Sequence, residues 1–244
     1  MTIVRSEVLT KFPQLLFGMS TVSGGVSAGT FGLNLSFNVN DDPANVRENR
    51  RKFFSALGIT EECVAFTHQQ HTSHILSVSV PGQNDTCDAL VTDKKGLFLA
   101  ISVADCAPVM LYDPRKSVIA GIHAGWRGTA KRIVEKSIQH MIRDNGTEPA
   151  DLIAFIGPSA GKCCYEVGEE VAAQFPNECS AKNGNGKYFL DVKHANLVQL
   201  LENGVRNSNI EVNKDCTIHN PLFHSHRRDG KGSGRMFAVI GLQS

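Results

Sequence analysis

The chain lacks an excess of charge of either sign: 25 Lys and Arg offset 24 Asp and Glu, for a formal net charge of +1. No strong field steers it to nucleic acid, an anionic membrane or an acidic partner, and none of these is expected. It also lacks a long apolar run. The longest, residues 97–103, is far too short to span a bilayer. The N-terminus, MTIVRSEVLTKFPQLLFGMS, has no basic start leading into an apolar core and a small-residue cleavage site, so the expected location is cytoplasmic. There is no internal repeat, no low-complexity run and no Pro-, Gly- or Ser-rich linker; residues 1–244 read as one domain. A disulfide framework is missing too. The seven cysteines are odd in number and irregularly spaced, in a chain that is not small. They are therefore buried apolar residues, metal ligands or nucleophiles.

What is present is an ordinary globular composition, 41% hydrophobic and 20% charged, which excludes disorder and permits one sizeable core. A helix is predicted over 43–57. Asp41 or Asp42 caps it, Pro43 suits its first turn, Gly58 ends it, and Val46, Phe53, Phe54 and Leu57 share a face. Segments 97–103 and 117–122 read as strands, expected to pair antiparallel across the tight connection at Asp113-Pro114. A helix is predicted over 129–142, with Ile133, Val134, Ile138, Met141 and Ile142 inward. Further strands are expected at 152–156 and 237–242, short helices at 167–175 and 194–201, and a turn at 24–32. Interspersed strands and helices give an α/β or α+β class with mixed sheets.

Three residues suit a metal: His71, Cys106 and His123. A thiolate with two imidazoles fits zinc, and also copper. Three protein ligands leave a fourth position open, as catalytic sites do, and a metal there would lower the pKa of bound water. Cys106 follows Asp105 directly after a predicted strand. His123 begins His-Ala-Gly-Trp-Arg-Gly, whose glycines permit close backbone approach and whose Arg127 is a planar anion donor. Strand alternation would put His71 opposite Gln70 and Thr72, and it excludes His68 and His74 from a shared shell. Cys163 and Cys164 should point apart and serve packing. The segment 223–235, with Arg227, Arg228 and Arg235, is rich in donors that could clamp a phosphate or carboxylate.

Several motifs together resemble the YfiH family. They are Ser23-Gly24-Gly25-Val26-Ser27, Leu33-Asn34-Leu35, Asn49-Arg50, Ala104-Asp105-Cys106-Ala107-Pro108-Val109, His123-Ala124-Gly125-Trp126-Arg127-Gly128, Gly157-Pro158, Cys164-Tyr165-Glu166-Val167, Arg227-Arg228-Asp229-Gly230 and Gly234-Arg235. Members of that family have been described as copper polyphenol oxidases, as purine nucleoside phosphorylases and as a peptidoglycan editing factor. The resemblance implies a layered α/β domain, similar to the catalytic domain of cytotoxic necrotizing toxins, with His71, Cys106 and His123 as ligands. It implies phosphorolysis of adenosine, inosine, guanosine and methylthioadenosine, with phosphate as co-substrate, and deamination of adenosine. Arg228 and Arg235, with Arg50 behind them, are candidates for phosphate, and Asn34 for a sugar hydroxyl or base edge. Copper-dependent phenol oxidation, a metal-free Cys106/His123 hydrolase and a non-catalytic metal protein are the alternatives. Val22, Thr72, Ser159 and His226 depart from the family pattern, which bears on substrate more than on the ligands.

Overall fold

Asp42 accepts a hydrogen bond from the Ala44 N–H at 2.8 Å, Pro43 opens the helix, and Gly58 takes the left-handed conformation (φ 75°) just beyond it. The resulting helix, Pro43–Ala56, carries Val46, Phe53 and Phe54 on its buried face. Covering each of those phenylalanines contributes roughly 2 kcal/mol or more. This computed structural model describes residues 1–243.

The helix lies on a six-stranded sheet in the order Ile3–Val4, Leu15–Ser20, Met236–Leu242, Phe98–Val103, Val64–His68, Gly82–Thr86. A second six-stranded sheet runs Ile210–Val212, Ile153–Ile156, Ala107–Asp113, Val118–Ala124, Ala89–Thr92, Ile75–Ser77. Side-chain alternation explains how they stack. Phe98 and Ala100 face the Pro43–Ala56 helix, whereas Leu99, Ile101 and Val103 face Met110, Tyr112 and Ile119 of the second sheet. The far face of that sheet, Val109, Leu111, Ala120 and Ile122, packs on helices Ile133–Asn145 and Val192–Glu202. The order is helix, sheet, sheet, helix. Strands apolar on both faces follow from their burial between layers. A three-stranded sheet, Glu166–Val167, Tyr188–Leu190, Ser180–Lys182, sits beside this stack.

The α/β class with mixed sheets is as expected, but three local expectations are corrected. Segments 97–103 and 117–122 do not pair. They belong to different sheets, because Ala107–Asp113, an unpredicted strand between them, forms the hairpin with Val118–Ala124. The helix expected over 129–142 is two, Trp126–Ala130 and Ile133–Asn145, broken where Arg132 is left-handed (φ 59°). The helix expected over 167–175 shrinks to Glu169–Ala172, because Glu166–Val167 pairs as a strand.

Candidate metal centre

Three links carry the chain from the first sheet to the second: residues 69–74, 87–88 and 104–106. They meet at one end of the sandwich, and each brings one chemical group there: His71, Asp88 and Cys106. His123 joins them from the end of strand Val118–Ala124. One ligand atom from each of His71, Cys106 and His123 lies within 4.8 Å of the others. Cys106 Sγ is 3.7 Å from His71 Nε2, and the two imidazoles meet edge-on with centroids 4.8 Å apart.

Asp88 organises this convergence. Its carboxylate is fully buried and accepts from the backbone N–H groups of Gln70, His71 and Thr72 at 3.3, 2.9 and 2.7 Å, and from the Thr72 hydroxyl at 2.7 Å. It also contacts His123 Nδ1 at 2.8 Å. One carboxylate thus holds the His71 loop and fixes the His123 ring. A donor on Nδ1 leaves Nε2 free for a metal, the arrangement by which outer carboxylates orient metal-binding imidazoles. His71 is not on a strand, and alternation does not govern it: its backbone is left-handed (φ 58°), held so by Asp88. Gln69 anchors the same loop, exchanging 2.7 and 2.8 Å hydrogen bonds with the Ser102 backbone.

The electrostatics follow from burial and pairing. Burial acts to raise the Cys106 thiol, but the charge and hydrogen bond of His123, with His71, bring it down to about 6. Burial acts to lower His123, but Cys106 and Asp88 raise it to about 9. Burial opposes the Asp88 carboxylate as well, yet His123 and Thr72 hold it far below the usual range. Both shifts favour a thiolate facing an imidazolium. A thiolate and two imidazoles suit a borderline or soft metal, and their fit to one ion is close.

Gly125 shows how tightly the site is drawn. A Cβ there would lie 2.8 Å from Cys106 Sγ and 3.0 Å from His71 Cδ2. Helix Trp126–Ala130 starts immediately after it and places Arg127 over the Trp126 ring at 4.2 Å. A cavity of about 520 Å³ opens above the three candidate ligands, and Arg127, Arg227 and Arg235 line it with Tyr165. Asp105, left-handed at φ 80°, accepts from the Arg227 N–H and the Thr217 hydroxyl, both at 2.7 Å, tying the C-terminal arginine segment to the Cys106 loop. A larger cleft of about 780 Å³ adjoins it through Ser36, Asn38, Thr67 and Ser102.

The other candidates occupy different places. Arg235 lines the cavity, donating to the Ser233 and Gly234 carbonyls. Arg228 turns away from it. Its guanidinium donates to the Thr217 and Phe223 carbonyls at 2.9 Å and pairs with Asp229. Asn34 is fully buried; it donates to the Ser36 carbonyl and Asp41 and accepts from the Arg235 N–H. Arg50 lies in the adjoining cleft, bonded to the Leu35 carbonyl and Glu61 under Phe37, Phe66 and Phe237. His226 lines the cavity; His68 lines the adjoining cleft; His74 is bonded to the Thr86 carbonyl. The expectation that Cys163 and Cys164 point apart is overturned. They sit in a turn, not regular structure, with sulfurs 3.4 Å apart. Asp88 was missed. Its only sequence signal is an acid directly before the apolar run Ala89-Leu90-Val91. Among the described residues, no helix is long and apolar enough to cross a membrane.

A family model described as "Multi-copper polyphenol oxidoreductase laccase" matches residues 16–243. A Deinococcus radiodurans protein named purine nucleoside phosphorylase is 40% identical, over 91% of this chain and 87% of its own. The Bacillus subtilis purine nucleoside phosphorylase YlmD is 32% identical, over 94% of this chain and 89% of its own. Among solved structures, YlmD from Geobacillus stearothermophilus superposes with a TM-score of 0.94 at 34% identity, covering 100% of this chain and 97% of that one. The Bacillus licheniformis protein YfiH gives 0.91 at 36% identity, covering 95% and 94%.

Proposed function

The chain belongs to the YfiH family, and from that premise we propose that it is a metal-dependent purine nucleoside phosphorylase that also deaminates adenosine. Its substrates are adenosine, inosine, guanosine and S-methyl-5′-thioadenosine, with phosphate as co-substrate. The observation that carries this reading is the pairing of a three-ligand centre with an arginine-lined cavity. Two relatives named purine nucleoside phosphorylases support it.

His71, Cys106 and His123 would hold zinc, or copper in its place, leaving a position open toward the cavity. Bound there, such an ion supplies Lewis acidity. Asp88 holds His123 in one tautomer and keeps its Nε2 directed at the site. Arg127, Arg227 and Arg235 are the phosphate donors this reading assigns, because guanidinium forks match phosphate oxygens. In phosphorolysis a phosphate oxygen bonds to C1′ as the bond from C1′ to the base nitrogen breaks. The electron pair leaves with the base, which takes a proton. The arginines orient the attacking anion and offset charge on the sugar phosphate formed. In deamination water adds at C6, and ammonia leaves.

A second reading, a hydrolase with Cys106 as nucleophile and His123 as base, rests on the thiolate–imidazolium pair. It requires no metal. Laccase-like oxidation is less favoured, because no other cluster of histidines accompanies the centre among the described residues. The test is product analysis of adenosine incubations with and without phosphate. Adenine released only with phosphate, inosine formed in either case, and loss of both in Cys106→Ala are expected. Absence of any nucleoside turnover by metal-replete protein would refute the reading.

A further inference from the structure

Cys163, Cys164 and Cys216 form a second cluster, their sulfurs within 4.8 Å of one another. Neighbouring cysteines converge here because the chain turns: the N–H groups of Cys164 and Tyr165 both donate to the Gly161 carbonyl, at 3.0 and 2.9 Å. Cys216 arrives from a distant segment that bridges to Ser159. Gly161 lies between the two segments. A Cβ there would be 3.1 Å from Cys216 Cβ and 3.4 Å from both the Cys163 and Cys216 sulfurs, so glycine leaves the sulfurs free to close together.

The setting favours a thiolate at Cys216, whereas burial and the neighbouring sulfurs push the Cys164 thiol up to about 12. The Gly161 N–H donates to Cys216 Sγ at 3.2 Å. Burial acts to raise the Cys216 thiol, but backbone N–H groups of Gly161, His219 and Ile218, with Cys163, bring it below its ordinary value. The buried Lys193 ammonium, bonded to the Asn213 and Asp215 carbonyls, adds positive charge nearby. A cavity of about 490 Å³ leads from Cys163 and Cys216 to solvent, and Cys163 is exposed. An ion therefore has a way in.

We propose that Cys163, Cys164 and Cys216 form a second, all-sulfur metal site that takes a soft d10 cation, monovalent copper in three-coordinate thiolate geometry. Soft sulfur donors select such ions over hard ones. No carboxylate or imidazole joins the cluster among the described residues, which disfavours four-coordinate zinc. Each sulfur–copper bond forms as a thiol releases its proton to solvent. The ion enters already monovalent, and no electron is transferred. The site is separate from the His71–Cys106–His123 centre and does not rest on the nucleoside reading.

The experiment is an anaerobic titration of the full-length protein with monovalent copper against a chromophoric chelator, with a non-thiol reductant present. Cys163→Ser and Cys216→Ser should each bind about one ion fewer than wild type. Cys106→Ala should keep the ion that these two lose. Because Cys163 is exposed, Cys163→Ser decides the matter even where Cys216→Ser fails to fold, and its nucleoside turnover should match wild type. In wild type, copper should protect Cys163 from a thiol-alkylating reagent. Unchanged capacity in Cys163→Ser, or alkylation of Cys163 as fast with copper as without, overturns the proposal.

Discussion

Asp88 is the residue on which the centre turns. It takes five hydrogen bonds, from three successive loop N–H groups, a hydroxyl and the His123 ring. Asp88→Asn keeps the shape but places an amide where only acceptors fit. Such changes behind a metal ligand typically cost about 10- to 100-fold in affinity. The prediction is a loss of that size in zinc affinity, read by chelator competition; unchanged affinity would show that Asp88 does not orient His123 for a metal. His224 is the second telling residue. It is fully buried, and burial lowers its pKa to about 4. The unfolded chain, with an ordinary imidazole, binds more protons between about pH 6.5 and 4. Stability is therefore fully present above that window and falls with pH through it, by about 3 kcal/mol for this group. Denaturant unfolding at stepped pH should show the slope, and His224→Leu should flatten it.

At the scale of elements, the His-Ala-Gly-Trp-Arg-Gly turn and the C-terminal arginine helix do separate jobs. Gly125→Ala drives a methyl against Cys106 Sγ and His71. It should reduce metal content and turnover several-fold and leave the Tm of the metal-free protein little changed, because the core beneath is untouched; normal metal content would contradict this. Helix His226–Asp229 is braced by Arg228, which bonds the backbone carbonyls of Thr217, Ile218, Asn220 and Phe223 and pairs with Asp229. Arg228→Ala should cost about 1–3 kcal/mol of stability and leave the KM for phosphate nearly unchanged. Arg235→Ala should raise that KM instead. Steady-state kinetics and denaturation on both variants separate the roles. Local signals showed the Pro43–Ala56 helix well, because cap, proline and terminal glycine all act within a few residues. They did not show strand Ala107–Asp113, since a fully buried strand has no alternation to read. The candidate ligands His71, Cys106 and His123 stand in motifs, whereas Asp88 does not, and its partners lie 16 to 35 residues away. For the same reason nothing local distinguished Arg228 from Arg235: their donors differ only in what the fold sets beside them.

For the whole molecule, the decisive feature is that three links between the sheets meet at one end of the sandwich. Burying two sheets against each other fixes where those links must pass, and the links carry His71, Asp88 and Cys106. A metal held there ties both sheets together. Removing it should lower Tm by several degrees, because an ion bound only by the folded chain stabilises it by about 2.7 kcal/mol at 100 times its Kd. The most direct test of the account strips metal from the protein, restores zinc or copper in steps, and follows phosphate-dependent release of purine base at each step. The account predicts that turnover vanishes with the metal, returns in proportion as the His71–Cys106–His123 centre refills, and never returns in Cys106→Ala. Undiminished turnover in fully metal-free protein would contradict it and make Cys106 a nucleophile rather than a ligand.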